Sequence, residues 1–153
     1  MADGKQRASD AWEALLSAHA VLIKQFAAED IWQDLSMREY DVLYTLSKCP
    51  EPVRISDLNQ HVLLSQPALS RLVHRLADRG MIVCEPDLDD GRGVRVSLTD
   101  AGRSRQREVG QRHARSVARA MTGALSRTDL RQLETLCRRL ADQAATTTKE
   151  ARI

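Results

Sequence analysis

The sequence predicts a mainly α fold with a small β wing. Two short amphipathic segments, separated by a turn, occupy residues 55–79. A strand-like segment with alternating apolar and polar residues follows the turn-rich loop at residues 86–93. Long helical segments without proline lie on either side of this region. Helices therefore provide most of the structure, and one hairpin is the expected β element.

Composition excludes several classes of protein. The chain has 153 residues, which suits one domain or one domain with an oligomerisation extension. A formal net charge of +2 is too small to indicate a nucleic-acid partner by itself. No apolar run approaches the ~20 residues of a membrane span, and the N-terminus has no apolar signal segment. Three cysteines without metal-like spacing suit a reducing compartment, so we expect a cytoplasmic protein with no membrane partner.

The first two helices are predicted from periodicity and from a cap. The chain has no glycine or proline from Asp10 to about Asp30, where the first helix is expected. Residues at helical spacing define one face of it, namely Trp12, Leu16, His19, Ile23 and Phe26. Ser36 and Glu39 form a capping box that begins the second helix. Pro50 and Pro52 follow that helix and end it.

A short helix and a turn come next. Ser56 is predicted to cap this helix, and Leu58 and Val62 are expected to face inward. Leu63 and Leu64 begin the turn. The next helix is capped by Ser65, so the segment has the helix-turn-helix pattern.

The helix capped by Ser65 has separate apolar and polar faces. Pro67 is tolerated in its first turn because amides there have no helical acceptor. The inward stripe consists of Leu69, Leu72, Val73 and Leu76. Gly80 is expected at the C′ position that follows the helix.

Strands are predicted at residues 81–85 and 94–98, and helices follow them. In the second strand, three apolar residues alternate with Arg95 and Ser97, as in a half-buried strand. Thr99 or Asp100 can cap a long helix that ends near residue 125. Another capping box begins at Ser126. The final helix carries a heptad-like seam that consists of Leu130, Leu133, Cys137, Leu140 and Ala144. This seam is expected to pack against the first helix and against the same helix of a second copy of the chain.

The outward face of the helix capped by Ser65 has the chemistry of a DNA reader. A helix fits the major groove of B-DNA, where its N-terminal residues meet base edges and Arg can bind guanine through two hydrogen bonds. The residues that could act in this way are Ser65, Gln66, Pro67, Ser70, Arg71, His74 and Arg75. The alternative is an ordinary solvated helix, and the adjacent hairpin favours the DNA-binding interpretation.

Charge counting does not by itself support a basic surface. From Ser65 to Arg95 there are five arginines and five acids, the acids being Asp78, Glu85, Asp87, Asp89 and Asp90. DNA binding therefore requires a geometry that presents arginines while the acids point away.

The segment from Leu35 to Gly102 resembles the MarR (multiple antibiotic resistance regulator) family of bacterial transcription factors. The resemblance is carried by SMREYDVLYTL, LLSQPALSRLVHRLADRGMI, DLDDGRGVRVSLT and the DAG that follows. The wing signature D-x-R followed by L-T is present as Asp90-Gly91-Arg92 and Leu98-Thr99. The outer helices match the family by length and pattern only.

The resemblance implies a winged helix-turn-helix flanked by N- and C-terminal dimerisation helices. Its segments would be an N-terminal dimerisation helix at 1–34, the DNA-binding domain at 35–102, and a long helix with a second dimerisation helix at 103–153. A homodimer would bind a pseudo-palindromic double-stranded DNA operator, usually as a repressor that a small-molecule effector releases. Arg92 would enter the minor groove and Asp90 would steady it, the alternative for Asp90 being a simple turn former. Arg95 could contact DNA or be a strand-face side chain without DNA contact.

Effector pockets in this family lie between the dimer helices and the DNA-binding lobe. The resemblance therefore makes four residues candidates for binding a small aromatic or phenolic effector, namely Trp12, His19, Tyr40 and Tyr44. For His19, a satisfied core histidine is the alternative.

Other functions have less support in the sequence. No histidine pair or His/Cys/Glu cluster has metal-ligand spacing, so no metal or other cofactor is predicted. No catalytic motif is present, so an enzyme is not expected. Two alternatives stay open, a thiol-based redox regulator with Cys49 as its sensor and a winged-helix module that binds a protein.

Overall fold

A computed structural model describes residues 2–59, 62 and 64–150 of the protein. Leu63, predicted to begin the turn, lies outside the described residues. The described part contains six helices and three strands, in the order α1 (Ala2–Ala27), α2 (Met37–Ser47), β1 (Val53–Arg54), α3 (Ile55–Leu58), α4 (Gln66–Asp78), β2 (Ile82–Pro86), β3 (Val94–Leu98), α5 (Asp100–Ala124) and α6 (Arg127–Glu150). The predicted mainly α fold with a small β wing is confirmed.

The chain divides into two compact units, Met1–Ala114 and Arg115–Ile153. The first unit contains α1 to α4, the sheet and most of α5, and the second contains the end of α5 together with α6. No helix in the described ranges is both long and apolar enough to cross a membrane.

Local capping signals give the helix ends that the sequence predicts. The Ser36 hydroxyl accepts the Glu39 amide at 3.2 Å, and the Ser36 amide donates to Glu39 Oε2 at 2.8 Å. The Ser65 hydroxyl accepts the Ala68 amide at 3.3 Å and caps α4. Gly80 has a φ of +74°, a conformation that suits glycine at C′. These contacts confirm the starts of α2 and α4 and the end of α4.

The region before α4 differs from the prediction in two ways. β2 and β3 pair antiparallel and form the predicted hairpin, but β1 adds a third strand, so the sheet has the order β1-β3-β2. β1 was missed because its two residues are too few to show alternation. Ser56 does not cap α3, because the helix already begins at Ile55, directly after the extended residue Arg54.

The first helix starts earlier than the sequence predicts. α1 begins at Ala2, although helical periodicity is evident only from Asp10. α6 runs from Arg127 to Glu150, and the hydroxyls of Thr146 and Thr147 each donate to the carbonyl four residues earlier within the helix.

The core of the first unit fixes the orientation of α4. The apolar stripe of α4 is buried, as predicted, by Leu69, Leu72, Val73 and Leu76. The other fully buried side chains of this core include Val42 and Leu43 of α2, Leu58 of α3 and Val96 of β3. Burial of one face leaves the opposite face of α4 at the surface.

The first turn of α5 packs closely against Gly80 and Met81, which directly precede β2. The Thr99 hydroxyl donates to the Gly80 carbonyl at 2.6 Å and accepts the Gly102 amide at 3.0 Å. Thr99 is therefore the residue that caps α5. A Cβ on Gly102 would lie 2.0 Å from the Met81 carbonyl oxygen, so only glycine permits this approach.

Candidate nucleic-acid interface

The N-terminal end of α4 and the tip of the wing border one cleft of about 410 Å3. From α4 it is lined by Gln66, Pro67 and Ser70, and from the wing by Asp90 and Arg92. These five residues were all predicted as candidate DNA contacts. Arg54 and Ser56, which the sequence did not suggest, line the same cleft from β1 and α3.

The exposed face of α4 provides polar groups beside this cleft. Ser65, Gln66, Pro67, Arg71 and His74 are exposed, and Ser70 is partly buried. His74 Nδ1 lies 2.7 Å from the Ser70 carbonyl oxygen, so Nδ1 carries the proton in this contact and Nε2 is left available. Arg71 makes no hydrogen bond or ion pair with the described part of the chain, so its guanidinium is available to a ligand.

Arg75 differs from Arg71 because it has an acidic neighbour within the protein. Its Nε lies 3.8 Å from Oε1 of Glu39, a buried residue of α2. The same oxygen is 3.4 Å from Nη1 of Arg79. Arg75 thus links α4 to α2, although its side chain stays largely exposed.

The wing tip is ordered by hydrogen bonds to its own backbone. Asp90 Oδ1 accepts the Arg92 amide at 3.2 Å, and the Asp90 carbonyl accepts the Gly93 amide at 2.8 Å. The Asp87 amide donates to the Gly93 carbonyl at 2.9 Å and closes the loop. Asp90 therefore holds the backbone that carries Arg92, while the exposed Arg92 side chain forms no ion pair within the described residues.

The root of the wing is organised by a buried carboxylate that the sequence did not single out. The Asp87 side chain is fully buried and accepts Arg95 Nε and the Asp89 amide, each at 3.1 Å. Arg54 Nε contacts the other carboxylate oxygen. Arg95 also donates through Nη1 to the Pro52 carbonyl at 3.4 Å and through Nη2 to Asp89 at 3.5 Å. Arg95 is thus engaged within the wing at all three nitrogens.

These contacts determine the ionisation of Asp87. Burial alone would raise its pKa, but the hydrogen bonds from the Asp89 amide, Arg95 and Arg54 outweigh burial and hold the pKa below its ordinary value. In the sequence Asp87 is one of five acids in an arginine-rich segment. Its contact with two arginines depends on the pairing of β1 with β3, which places Arg54 opposite Arg95.

The candidate effector residues are not all brought together. The rings of Tyr40 and Tyr44 stack with centroids 6.0 Å apart and an interplanar angle of 27°. Tyr40 is buried and Tyr44 is exposed. Trp12 is 61% exposed, His19 is also exposed, and neither ring contacts another ring in the described ranges. In the single chain, therefore, His19 is not a core histidine.

Sequence reasoning missed an aromatic cluster around His113 of α5. The His113 ring lies with its centroid 5.3 Å from Phe26, 5.0 Å from Trp32 and 5.5 Å from Tyr40. His113 Nδ1 is buried and has no hydrogen-bond partner among the described residues. Burial lowers the pKa of His113, and Glu29 partly offsets this effect. The sequence signal that could have identified His113 as a core residue is its position one helical turn after Val109, which is buried.

The three cysteines are free and form no disulfide. The Cys49 thiol donates to the Thr45 carbonyl at 3.4 Å within α2. Burial and the nearby Asp78 raise the pKa of the exposed Cys84 thiol, which disfavours the reactive thiolate. Among the residues with a described position, no group of His, Cys, Asp and Glu could hold a metal ion.

Comparison with known proteins agrees with this geometry. A family model described as MarR family matches residues 33–93. The HTH-type transcriptional repressor IacR of Pseudomonas putida is 26% identical over 101 residues, which cover 61% of this chain and 60% of IacR. The match therefore spans less than two thirds of that repressor's length.

Two solved structures from Streptomyces coelicolor resemble nearly the whole chain. AbsC, a MarR family transcriptional regulator, superposes with a TM-score of 0.74 at 27% identity, covering 90% of this chain and 94% of AbsC. The transcriptional regulator PcaV, in complex with its natural ligand, gives a TM-score of 0.65 at 27% identity and covers 86% of this chain and 89% of PcaV. Residues 33–93 thus match the MarR family model, and the fold of most of the chain is similar to that of MarR family transcription regulators.

Proposed function

We propose that the protein is a homodimeric transcription regulator that represses genes by binding a pseudo-palindromic operator in double-stranded DNA. One observation carries this proposal. The cleft joins the N-terminal end of α4 to the wing tip, so that groups suited to a major groove and an arginine suited to a minor groove line one surface. Such a role would place the protein in the cytoplasm, where bacterial DNA is located.

Each structural element would contact a different part of the operator. Ser65, Gln66, Ser70 and Arg71 would meet base edges and phosphates in the major groove, because they lie at the exposed N-terminal part of α4. Arg92 would enter the adjacent minor groove, where the electrostatic potential is strongly negative. Pro67 and His74 would flank the base-reading residues. Arg75 would contact phosphate from its position beside Glu39.

Exposed apolar surface on the terminal helices supports the homodimer. On α1, Trp12, Leu16 and Val21 are more than half exposed, and on α6 Leu136 and Leu140 are likewise exposed. An isolated chain rarely leaves so many large apolar side chains in water. We propose that α1 and α6 pack against a second copy of the chain. The dimer would then hold two copies of α4 at the spacing of successive major grooves.

A small aromatic or phenolic effector is proposed to release the DNA. The exposed Tyr44 stacks on the buried Tyr40, and Tyr40 contacts Trp32 with ring centroids 5.5 Å apart. Such surfaces favour planar ligands. PcaV, which resembles this chain, was solved with its natural ligand. Trp12 and His19 would line the pocket only once a partner helix lies beside α1. Effector binding would change the spacing of the two α4 helices and lower operator affinity.

Selection of bound duplexes from a random DNA pool tests the proposal. We expect an enriched pseudo-palindrome, and we expect Arg71→Ala and Arg92→Ala each to weaken binding to it by about 1–3 kcal/mol per half-site. Arg7→Ala is the control, because Arg7 lies on α1 and does not line the cleft. All three variants should remain dimers in sedimentation experiments.

The opposite result has a clear meaning. Failure of the wild-type protein to enrich any duplex would favour a winged-helix module that binds a protein. Enrichment with unchanged affinity of Arg71→Ala and Arg92→Ala would show that the DNA surface lies elsewhere.

A further inference from the structure

We propose that Arg54 of β1 is a further DNA-contacting residue, which binds a phosphate from the root of the wing, and that Asp87 is the residue that positions it. The inference rests on the proposed DNA binding and adds a contact outside both α4 and the wing tip. Its support comes from the cleft, from the register of β1 with β3, and from the ion pairs of Asp87.

Arg54 lies on the surface that would face DNA. It lines the cleft together with Gln66 and Ser70 of α4 and Arg92 of the wing tip. Its side chain is 38% exposed, although it is anchored at one nitrogen. A cation in this place would lie between the element that enters the major groove and the element that enters the minor groove. The phosphate backbone of DNA separates those two grooves, so a phosphate is the expected partner.

The register of the sheet explains why Asp87 is buried there. β1 pairs with β3 so that Arg54 lies directly opposite Arg95. Two like charges in opposite positions on neighbouring strands repel and destabilise the pairing. The buried Asp87 carboxylate contacts both, through Nε of each arginine. Asp89 is a second acid at the root of the wing, and it lies 3.5 Å from Nη2 of Arg95 and does not contact Arg54 in the described ranges.

The two arginines are used differently, and this decides which one keeps N–H donors available for a ligand. Arg95 donates to Asp87 through Nε, to the Pro52 carbonyl through Nη1 and to Asp89 through Nη2. Arg54 contacts Asp87 through Nε, and its two Nη groups have no partner in the described ranges. A guanidinium has five N–H donors, so Arg54 keeps its terminal donors for a ligand. Arg95 is therefore a structural residue of the wing, and Arg54 makes the DNA contact.

A purely structural role for Arg54 predicts a different salt dependence. Each phosphate contact contributes about 0.9 to the slope of log affinity against log salt concentration. A dimer uses Arg54 twice, so loss of the contact should make the slope shallower by about 1.8. If substitution of Arg54 only loosened the wing, no phosphate contact would be lost and the slope would stay unchanged.

The experiment measures binding of the selected duplex by fluorescence anisotropy over a range of KCl concentrations. Arg54→Gln is the main variant, because its amide can still donate to Asp87 but carries no charge. Arg54→Met, with an uncharged stem, is the second variant if Arg54→Gln does not fold. Arg54→Lys restores a positive charge, and Arg7→Gln removes one from an exposed position on α1. Circular dichroism and thermal melting establish that each variant is folded.

We expect Arg54→Gln or Arg54→Met to bind more weakly with a slope shallower by about 1.8, and Arg54→Lys to recover most of that slope. Arg7→Gln should retain the wild-type slope. A wild-type slope in both uncharged variants would overturn the phosphate contact while leaving the proposed DNA binding intact. If the wild-type protein binds no duplex, the proposed function fails and this inference fails with it.

The positioning role of Asp87 has its own readout. Asp87→Asn removes a negative charge beside the DNA, so long-range electrostatics alone predicts tighter binding. We expect weaker binding instead, because Arg54 loses its anchor. In the Arg54→Gln background the same substitution should add little further loss. Tighter binding by Asp87→Asn, or full additivity in the double variant, would show that Asp87 does not position Arg54.

Discussion

At the scale of single residues, Glu39 shows how one buried acid limits the roles of two arginines. It accepts the Ser36 amide as part of the α2 cap, and it lies beside both Arg75 and Arg79. Arg79 is held further by Asp34, whose carboxylate lies 2.8 Å from its Nη2. Neither arginine is therefore free in the way that Arg71 is. The acids near α4 and the wing pair with particular arginines and leave others unpaired.

His113 gives a prediction at this scale that concerns pH. Its pKa is lowered by burial among Phe26, Trp32 and Tyr40, with Glu29 acting in the opposite direction. As the pH falls through about 6.5, the unfolded chain gains a proton at His113 before the folded protein does. The free energy of unfolding should therefore decrease over this range.

Urea unfolding at about pH 7.5 and pH 5.5 measures the effect. Between these two pH values, His113→Phe should lose less free energy of unfolding than the wild-type protein, because a phenyl ring cannot be protonated. An equal loss in the two proteins would mean that burial of His113 does not determine this pH dependence.

At the scale of elements, the contact between α5 and the wing depends on a residue without a side chain. Gly102 lies in the first turn of α5 and approaches the Met81 carbonyl just before β2. Thr99 joins the same two elements through its hydroxyl. Glycine is unfavourable within a helix, so helix propensity does not explain Gly102. The close packing against Met81 does.

Substitutions of two glycines in α5 should have opposite effects. In Gly102→Ala the new methyl group would clash with the Met81 carbonyl, and we expect a loss of about 1–3 kcal/mol. In Gly123→Ala the methyl group meets open space, and we expect a gain of about 0.5–1 kcal/mol from helix propensity. Urea unfolding of both variants tests this difference. Similar changes in the two proteins would contradict the close approach.

At the scale of the whole molecule, two kinds of surface remain to be matched with partners. The cleft beside α4 is lined by polar and charged side chains. The exposed faces of α1 and α6 carry large apolar side chains instead. Polar surface with unpaired arginines suits a nucleic acid, whereas contiguous apolar surface suits a protein partner. The proposed dimer assigns each surface to one of these partners.

Disruption of the apolar surface on α6 should therefore produce monomers. We expect Leu140→Glu to dissociate the dimer, because it would bury a charge without a counterion in the interface. Arg138→Gln on the same helix, whose side chain is exposed and pairs with Glu134, is the control. Sedimentation velocity measures the mass of both proteins. The monomeric variant should also bind the operator more weakly, because each chain of the dimer contacts one half-site. A dimeric Leu140→Glu would assign the interface to other residues.

The sequence by itself determined the parts of this protein that depend on neighbouring residues. The caps of α2 and α4 and the glycine after α4 involve groups only a few residues apart, so residue order suffices to predict them. The buried stripe of α4 follows from helical periodicity in the same way. Together these features were enough for the fold class and the family resemblance, and for five of the ten residues that line the cleft.

Only the tertiary structure decided the contacts between segments distant in the chain. The strand β1 is too short to be recognised alone, yet its pairing with β3 brings Arg54 to the cleft and to Asp87. The ring of His113 likewise meets Trp32 and Tyr40 only after α5 packs in the fold. Periodicity reports which face of an element is buried, but it does not report which residue of another element lies opposite. Pairing across elements therefore determines which charges remain free, and that required the folded structure.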